Sequence, residues 1–240
     1  MPELIAAMLV KDEQGRWLER TLGQLGRMVD AIVVVDDAST DGSFEICRSW
    51  PKTVVYREPQ TRFDRDEPGL RRHLWERAKD LDAEWVLMLD ADEEFEPRAE
   101  RELRAHLRQR DYDAVAFRIF DLWKSETHVR VDGAWNPWNR FTTMIARPQL
   151  GFADDWLQRS AHSGRFPLAY RDVPVYYSHL RVRHRGWSRA GDHLRKYLYY
   201  RERDIENLGH VHPHTESILN PRIALEPWID QPAVPWLGRD

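Results

Sequence analysis

The sequence has a single cysteine, Cys47, among its 240 residues, so it can form neither an internal disulfide nor a cysteine-built zinc site. It also lacks a long apolar run. The longest apolar stretches, such as Ala31–Val35 and Trp85–Leu89, are far too short to cross a bilayer. No cationic segment precedes the first apolar stretch, as one would in a signal peptide. We therefore expect a reduced protein without a transmembrane segment, located in the cytoplasm or peripherally at the inner membrane face.

An excess of one charge is missing as well, because 36 Lys and Arg residues oppose 40 Asp and Glu residues, for a net charge of −4. Generic nucleic-acid or membrane-surface binders have one-sided electrostatics, so this balance argues against both classes. The sequence does contain a hydrophobic fraction of 42%, enough for a sizeable core, and 11 tryptophans. We expect no nucleic-acid partner.

Strand-like and helix-like patterns alternate along the first half of the chain. Short apolar runs predict strands, and leucines spaced three or four residues apart predict an amphipathic helix after the first of them. The predicted elements are strands at Leu4–Val10, Ala31–Val35, Thr53–Arg57 and Trp85–Leu89, helices at Gln14–Val29, Phe44–Trp50 and Leu70–Lys79, a loop at residues 58–69, and a helix from Pro97 to about residue 109. This alternation predicts an α/β fold with a doubly wound, mostly parallel sheet flanked by helices.

The second half is less regular. We predict strands at Asp113–Leu122, Arg140–Ala146 and Val173–Ser178, a loop at Trp135–Trp138, and a long C-terminal helix from Trp187 to about Asn207. The segment after Gly209 is rich in proline, so we expect it to be an extended or disordered tail. This gives one domain over residues 1–208, with halves at 1–110 and 111–208, and a tail at 209–240.

Two acidic clusters follow predicted strands. Asp36 and Asp37 come after the second strand, and Asp90-Ala91-Asp92 comes after the fourth. Ligands of doubly wound sheets bind outside the carboxyl ends of the strands, where both clusters fall. Oxygen ligands of this kind suit Mg²⁺ or Mn²⁺, which share their coordination shell with substrate phosphates. The alternative is that these carboxylates only favour the helix that follows.

The first cluster has two interpretations of its own. A carboxylate at Asp36 or Asp37 suits a nucleoside, because it accepts hydrogen bonds from a base N–H or a ribose hydroxyl. Alternatively, Asp36, Ser39 and Asp41 cap the next helix and shape the turn through Gly42. We expect capping to account for Ser39 and Asp41 even if Asp37 binds a ligand.

The two clusters together resemble the family-2 glycosyltransferases. The similarity is carried by Val33-Val34-Val35-Asp36-Asp37-Ala38-Ser39-Thr40-Asp41-Gly42 and, further on, Leu87-Met88-Leu89-Asp90-Ala91-Asp92-Glu93, an Asp-x-Asp-Glu signature typical of short bacterial members. It covers residues 4–96 well and the rest loosely. It implies a GT-A fold, a nucleotide-diphosphate sugar donor, UDP before other nucleotides, and a Mn²⁺ or Mg²⁺ ion. It also implies inversion at the anomeric carbon and an acceptor that is a glycan, a lipid-linked molecule or a small molecule.

The resemblance also implies roles for individual residues. The residues it assigns to the nucleotide sugar are Asp36, Asp37, Arg72, Asp90 and Ala91, and those it assigns to the metal are Asp90, Asp92 and His179. Asp12 stands where the family often has Asn, a change expected to affect base contacts. The dense basic cluster Arg181, Arg183, His184, Arg185 and Arg189 either contacts the diphosphate or a phosphate-bearing acceptor, or forms a solvated face.

An inverting transfer needs a base for the acceptor hydroxyl, which the family supplies from the second half of the chain. The nearest candidates are Asp155 and Asp154, with a solvated turn as the alternative. Some relatives have His-Glu where this chain has His162-Ser163, so that carboxylate is missing.

Four tryptophans, Trp123, Trp135, Trp138 and Trp156, fall in the segment expected to face the acceptor. Aromatic faces suit the C–H surfaces of sugars, but large aromatic residues are more often core. We predict a core position for Trp123 and leave Trp135 and Trp138 open.

Three other enzyme classes and one binding class compete with this interpretation. A haloacid-dehalogenase-like phosphatase carries its Asp-x-Asp after the first strand and has Thr or Val where this chain has Glu94. A receiver domain is about half this length, and a dehydrogenase needs a Gly-x-Gly-x-x-Gly after the first strand, which is absent. A catalytically degenerate module that binds a nucleotide or glycan remains open, and turnover would separate it from an enzyme.

Overall fold

The computed structural model describes residues 2–148, 152–158 and 163–231. Its strands are β1 Leu4–Val10, β2 Ala31–Asp36, β3 Thr53–Arg57, β4 Trp85–Met88, β5 Glu93–Phe95, β6 Ala114–Asp121, β7 His128–Arg130, β8 Thr142–Ala146, β9 Val175–His184 and β10 Leu225–Pro227. Its α-helices are α1 Leu18–Met28, α2 Ser43–Ser49, α3 Phe63–Lys79, α4 Ala99–Leu107, α5 Asp192–Leu208 and α6 Pro213–Glu216. Short 3₁₀ turns lie at Gly133–Trp135, Pro137–Asn139, Leu168–Arg171 and Ser217–Leu219.

Eight strands form one mixed sheet in the order β3-β2-β1-β4-β8-β6-β9-β5. The first four are parallel, as the alternation of strands and helices predicts. Farther along, β8 runs antiparallel to β4 and β6, β9 runs parallel to β6, and β5 runs antiparallel to β9. Parallel strands point their carboxyl ends to one edge, so the segments after β1, β2 and β4 meet there.

Each face of the sheet is covered by helices. Side chains alternate along β1, so that Leu4 and Met8 pack in one core cluster with Leu22 of α1, whereas Ile5 packs in the other with Leu74 of α3. The continuous apolar runs of β1, β2 and β4 follow from this burial on both faces. The predicted α/β architecture is confirmed.

Three segments differ from prediction. The predicted loop at residues 58–69 is wrong in its second part, because α3 begins at Phe63 and has a kink at Asp66, two residues before Pro68. The predicted strand Val173–Ser178 is too short, because β9 continues to His184. The short strand β5, which contains acidic residues, was not predicted. It pairs with the basic end of β9 and so balances its charge.

The tail is more ordered than predicted over its described part. After the left-handed Gly209, whose φ is 76°, the chain forms α6 and a 3₁₀ turn, and β10 then pairs with β7. Ile218 packs with Trp123, Trp135 and Trp187 in a satellite core. Trp123 is therefore core, as predicted, and Trp135 is core as well. Residues 232–240 lie outside the described residues.

Candidate active site

The turns after β1 and β2 are joined by side chains at the carboxyl edge of the sheet. Asp12 accepts a hydrogen bond from Thr40 N at 2.7 Å, and its own N–H donates to Ser39 Oγ at 3.0 Å. Asp12 and Ala38 both have positive φ, at 50° and 53°. Left-handed backbone at non-glycine residues persists only where its surroundings hold it. Asp12 therefore fixes the shape of this part of the edge.

Asp36 and Asp37 are both buried, and both order the loops around them. Asp36 Oδ2 accepts from Ser39 N at 3.0 Å, which is the turn-capping role. Asp37 accepts from Thr61 Oγ1 at 2.7 Å and from Arg62 N at 2.6 Å. Its contact with a nucleoside remains a prediction, and any such contact must share the carboxylate with the start of α3.

Asp90 lies directly after β4 between two arginines. Arg71 Nη1 lies 3.3 Å from Asp90 Oδ1, and Arg165 Nη2 lies 3.2 Å from Oδ2. Burial opposes the charged form, but Arg165 and Arg71 hold the pKa of Asp90 below its usual value. The predicted Arg72 is exposed and lines a separate surface pocket with Arg62. Of the two adjacent arginines of α3, Arg71 is therefore the one that contacts Asp90.

Ala91 has little exposed surface, and its carbonyl accepts a hydrogen bond from Thr21 Oγ1 at 2.9 Å. This contact anchors the turn between Asp90 and Asp92 to α1. The turn thereby presents its two carboxylates from a fixed backbone.

Asp92 faces a histidine that the sequence analysis did not assign to the metal site. His184 Nε2 lies 3.4 Å from Asp92 Oδ2, and His184 Nδ1 lies 2.6 Å from Asp121 Oδ1. Burial alone would lower the pKa of His184, but Asp92 and the hydrogen bond with Asp121 raise it to about 10. The pKa of Asp92 is lowered against its burial, chiefly by His184. The three side chains form a hydrogen-bonded, charged cluster with His184 between the two carboxylates.

Gly186 lets the ends of three polar side chains lie against its backbone. A β-carbon on this residue would lie 2.5 Å from Asp92 Oδ2, 2.6 Å from His184 Nε2 and 2.7 Å from Lys196 Nζ. Contacts this short essentially never occur, so a side chain here would push the three groups apart. One carboxylate and two nitrogen groups thus converge on a spot that only glycine leaves free.

Helix α5 crosses the same edge of the sheet. Near its start, Asp192 accepts from Arg16 at 2.9 Å in the loop after β1. Farther along, Arg203 and Tyr199 both donate to Asp64 of α3, at 2.8 and 2.9 Å. Because the helix is tied at both sites, Lys196 is held between them, over Asp92.

The other basic residues near β9 mostly form buried ion pairs. Arg181 pairs with Glu96 at 2.8 Å, and Arg185 pairs with Glu94 at 2.7 Å. Arg183 also reaches Glu94, at 3.3 Å. Neither a solvated face nor a diphosphate clasp describes these three arginines, because their partners belong to and flank β5.

His179 does not lie beside Asp92, which corrects its predicted place in the metal site. Its Nε2 lies 3.0 Å from Glu102 Oε2 on α4. His179 and His184 are on the same extended strand, roughly 16 Å apart at about 3.3 Å per residue. A single ion cannot bind both His179 and Asp92 in this arrangement.

Of the two predicted bases, Asp154 lies away from Asp90. Asp154 Oδ1 accepts from Trp75 Nε1 at 3.1 Å, and its Oδ2 lies 2.6 Å from Lys79 Nζ. Lys79 is the last residue of α3, about 12 Å along the helix from Arg71. Asp155 is exposed, and its backbone carbonyl accepts from Leu168 N. His162 lies outside the described residues.

A cleft of about 660 Å³ opens beside Asp90. Its walls combine charged residues with aromatic and hydroxyl side chains, among them Glu67, Arg71, Phe141, Thr142 and Tyr177. Tyr177 is 62% exposed and its ring meets Phe141 edge-on at 5.0 Å. Trp138, which was left open, is exposed, whereas Trp156 is buried. An exposed aromatic wall beside a carboxylate suits a saccharide ring.

The carboxylates at this site suit a divalent cation only in part. Among residues 2–148, 152–158 and 163–231, no three His, Cys, Asp or Glu side chains are close enough to hold an ion on their own. Magnesium in nucleotide sites, however, uses one or two carboxylates and completes its shell with phosphate oxygens and water. Asp90 and Asp92 supply the two carboxylates of such a site.

None of the helices in the described part of the chain combines the length and apolar character needed to cross a membrane.

The chain is similar to known glycosyltransferases. The model of glycosyl transferase family 2 matches residues 7–191. An uncharacterized glycosyltransferase of Rickettsia bellii is 24% identical over 153 residues, which are 62% of this chain and 48% of that protein. This chain therefore spans about half the length of that relative.

Solved structures show the same fold. Residues 1–349 of S. aureus TarS in complex with UDP-GlcNAc match with a TM-score of 0.54 and 16% identity, over 90% of this chain and 70% of that one. The mannosyltransferase PcManGT from Pyrobaculum calidifontis, in complex with GDP-Man and Mn²⁺, matches with a TM-score of 0.51 and 15% identity, over 90% and 70%. The chain spans 42% of a longer TarS structure. These likenesses confirm the predicted GT-A fold.

Proposed function

This chain belongs to glycosyl transferase family 2, and we propose that it transfers a sugar from a nucleotide-diphosphate sugar to an acceptor hydroxyl, with inversion at the anomeric carbon. The observation that carries this proposal is the convergence of Asp92, His184 and Lys196 on Gly186, next to the cleft at Asp90. This arrangement supports a diphosphate site at these three residues and an acceptor site in the cleft.

On the donor side, Asp90 and Asp92 would hold Mn²⁺ or Mg²⁺ together with the diphosphate. A bound cation would offset the negative charge that grows on the leaving nucleotide. His184 and Lys196 face the same space, and their N–H groups would donate to phosphate oxygens. Asp37 would contact the nucleoside base, and Arg71, which lies beside Asp90, would make the nucleotide-sugar contact that the resemblance assigned to Arg72.

The donor is a nucleotide sugar, with UDP as the first nucleotide to test, because the TarS structure of the same fold holds UDP-GlcNAc. On the acceptor side, Tyr177 and Phe141 would stack against a sugar ring of a glycan or lipid-linked acceptor. A phosphatase of the haloacid-dehalogenase type is disfavoured, since its Asp-x-Asp belongs after the first strand and here it follows β4.

Calorimetric titration of UDP, GDP, dTDP and CDP, each with and without Mn²⁺, tests this proposal. We expect one nucleotide to bind tightly only with the metal, and Asp92→Asn to weaken that binding at least 100-fold. Glu102→Gln is the matched control, because Glu102 meets His179 in the middle of β9, away from Asp92. If folded wild-type protein binds none of the four nucleotides, the proposal is wrong. Binding without sugar transfer or donor hydrolysis would indicate a degenerate module.

A further inference from the structure

The cleft beside Asp90 contains a second carboxylate that the donor site does not use. Among the described residues that line the cleft, Glu67 and Asp90 are the only acidic ones. Asp90 is committed to two arginines and to the donor side. Glu67 is 3% exposed and comes from the kinked first part of α3.

Glu67 is held in place from two directions. Its Oε1 lies 3.3 Å from Arg71 Nε, and its Oε2 accepts from Ser163 N at 3.4 Å. The same guanidinium reaches Asp90 through Nη1, at 3.3 Å. One planar arginine therefore fixes the spacing of the two carboxylates, with Asp90 at the sheet edge and Glu67 in the acceptor cleft.

The kink in α3 explains why this carboxylate lies in the cleft. Asp66 has φ −152° and ψ 56°, so the helix is interrupted immediately before Glu67. Pro68 then lies in the first turn of the helical segment that restarts at Glu67, where its missing N–H costs no hydrogen bond. Burying a carboxylate costs free energy unless it is paired, and Glu67 is kept at this position by Arg71.

We propose that Glu67 is the general base of the transfer. This assignment rests on the proposed function. The acceptor oxygen forms its bond to the anomeric carbon while its proton passes to the Glu67 carboxylate. The anomeric carbon–oxygen bond to the diphosphate breaks, and the nucleoside diphosphate leaves with the electron pair. Asp154 is fixed to Lys79 and Trp75 outside the cleft, so it does not compete for this role.

The test compares Glu67→Gln with wild type, using UDP-GlcNAc and GDP-mannose as donors with Mn²⁺ and water as the acceptor. Nucleotide release by Glu67→Gln is expected to fall at least 100-fold, within the range for loss of a general base. Calorimetry should give a nucleotide Kd within threefold of wild type. Glu67→Asp should recover part of the rate. Glu76→Gln, also on α3 but outside the cleft, is the matched control.

Azide makes the test specific for a base, because it attacks the anomeric carbon without losing a proton. Added azide should raise nucleotide release by Glu67→Gln at least tenfold, with formation of the glycosyl azide, and should leave the Glu76→Gln rate unchanged. Wild-type turnover by Glu67→Gln would overturn the assignment. So would folded Glu67→Gln and Glu67→Asp that both lose nucleotide binding, or a slow Glu67→Gln that azide does not restore. If wild type binds no nucleotide, the proposed function itself fails, and the assignment with it.

Discussion

The carboxyl end and the middle of β9 carry the same kinds of residue and differ in what surrounds them. At the carboxyl end, His184 lies between Asp92 and Asp121. In the middle of the strand, His179 pairs with Glu102, and its ring lies 5.2 Å from that of His106. Both are histidine–carboxylate clusters on one strand. Only the first lies at the edge of the sheet where β1, β2 and β4 also end.

The electrostatics of the two clusters run in opposite directions. Carboxylates on both sides raise the pKa of His184 to about 10. In the second cluster, burial and the neighbouring His179 lower the pKa of His106 of α4 to about 4. A histidine next to an acidic residue is therefore not by itself evidence of a ligand site. Its position relative to the edge of the sheet decides.

The largest expected effect comes from adding a side chain at Gly186, just after the carboxyl end of β9. Gly186→Ala places a β-carbon 2.5 Å from Asp92 Oδ2, so Asp92, His184 and Lys196 must move apart. We expect nucleotide affinity in the presence of Mn²⁺ to fall about 100-fold while the fold persists, because only side-chain ends are displaced. Gly191→Ala is the matched control, since nothing lies within 4 Å of its added carbon. Equal affinities for the two variants in calorimetry would contradict the assigned site.

The sequence predicted the carboxyl ends of the parallel strands well, because buried parallel strands are continuous apolar runs. Those runs located the ends of β2 and β4, and hence Asp36 and Asp90, within about one residue. It named His184 only as part of a basic cluster and not as the partner of Asp92, because the end of β9 is charged and does not look like a strand. Its arginines are buried only by pairing with Glu94 and Glu96, which is a tertiary effect.

Other site residues were missed for similar reasons. Arg71 and Arg72 are adjacent, and only the packing of α3 decides which one meets Asp90. Lys196 lies on a helix far along the chain and reaches the site because Arg16 and Asp64 hold that helix. A signal for the helix start near Glu67 was present in Pro68, since proline is favoured in the first turn of a helix.

A smaller effect separates the two histidines directly. His184→Gln removes a nitrogen group from the proposed diphosphate site, so nucleotide affinity with Mn²⁺ should fall about tenfold, or roughly 1.4 kcal/mol. His179→Gln should change it less than twofold, because its partner Glu102 is far from Asp92. Calorimetry on both variants gives the comparison. If His179→Gln has the larger effect, His179 belongs to the nucleotide site and His184 does not.

The smallest effect concerns the stability contributed by His106, which lies on α4 beside His179. His106 is buried, and its pKa of about 4 lies below the ordinary value of 6.5. Between these values the unfolded chain binds the proton and the folded one does not, so stability is lost as pH falls from 6.5 toward 4. From pH 6.5 to pH 5.5 this amounts to about 1 kcal/mol of unfolding free energy. Urea unfolding of His106→Gln should show a loss smaller by that amount, whereas a His210→Gln control, exposed in the folded chain, should follow wild type. Identical pH profiles for wild type and His106→Gln would show that His106 is not the acid-sensitive group.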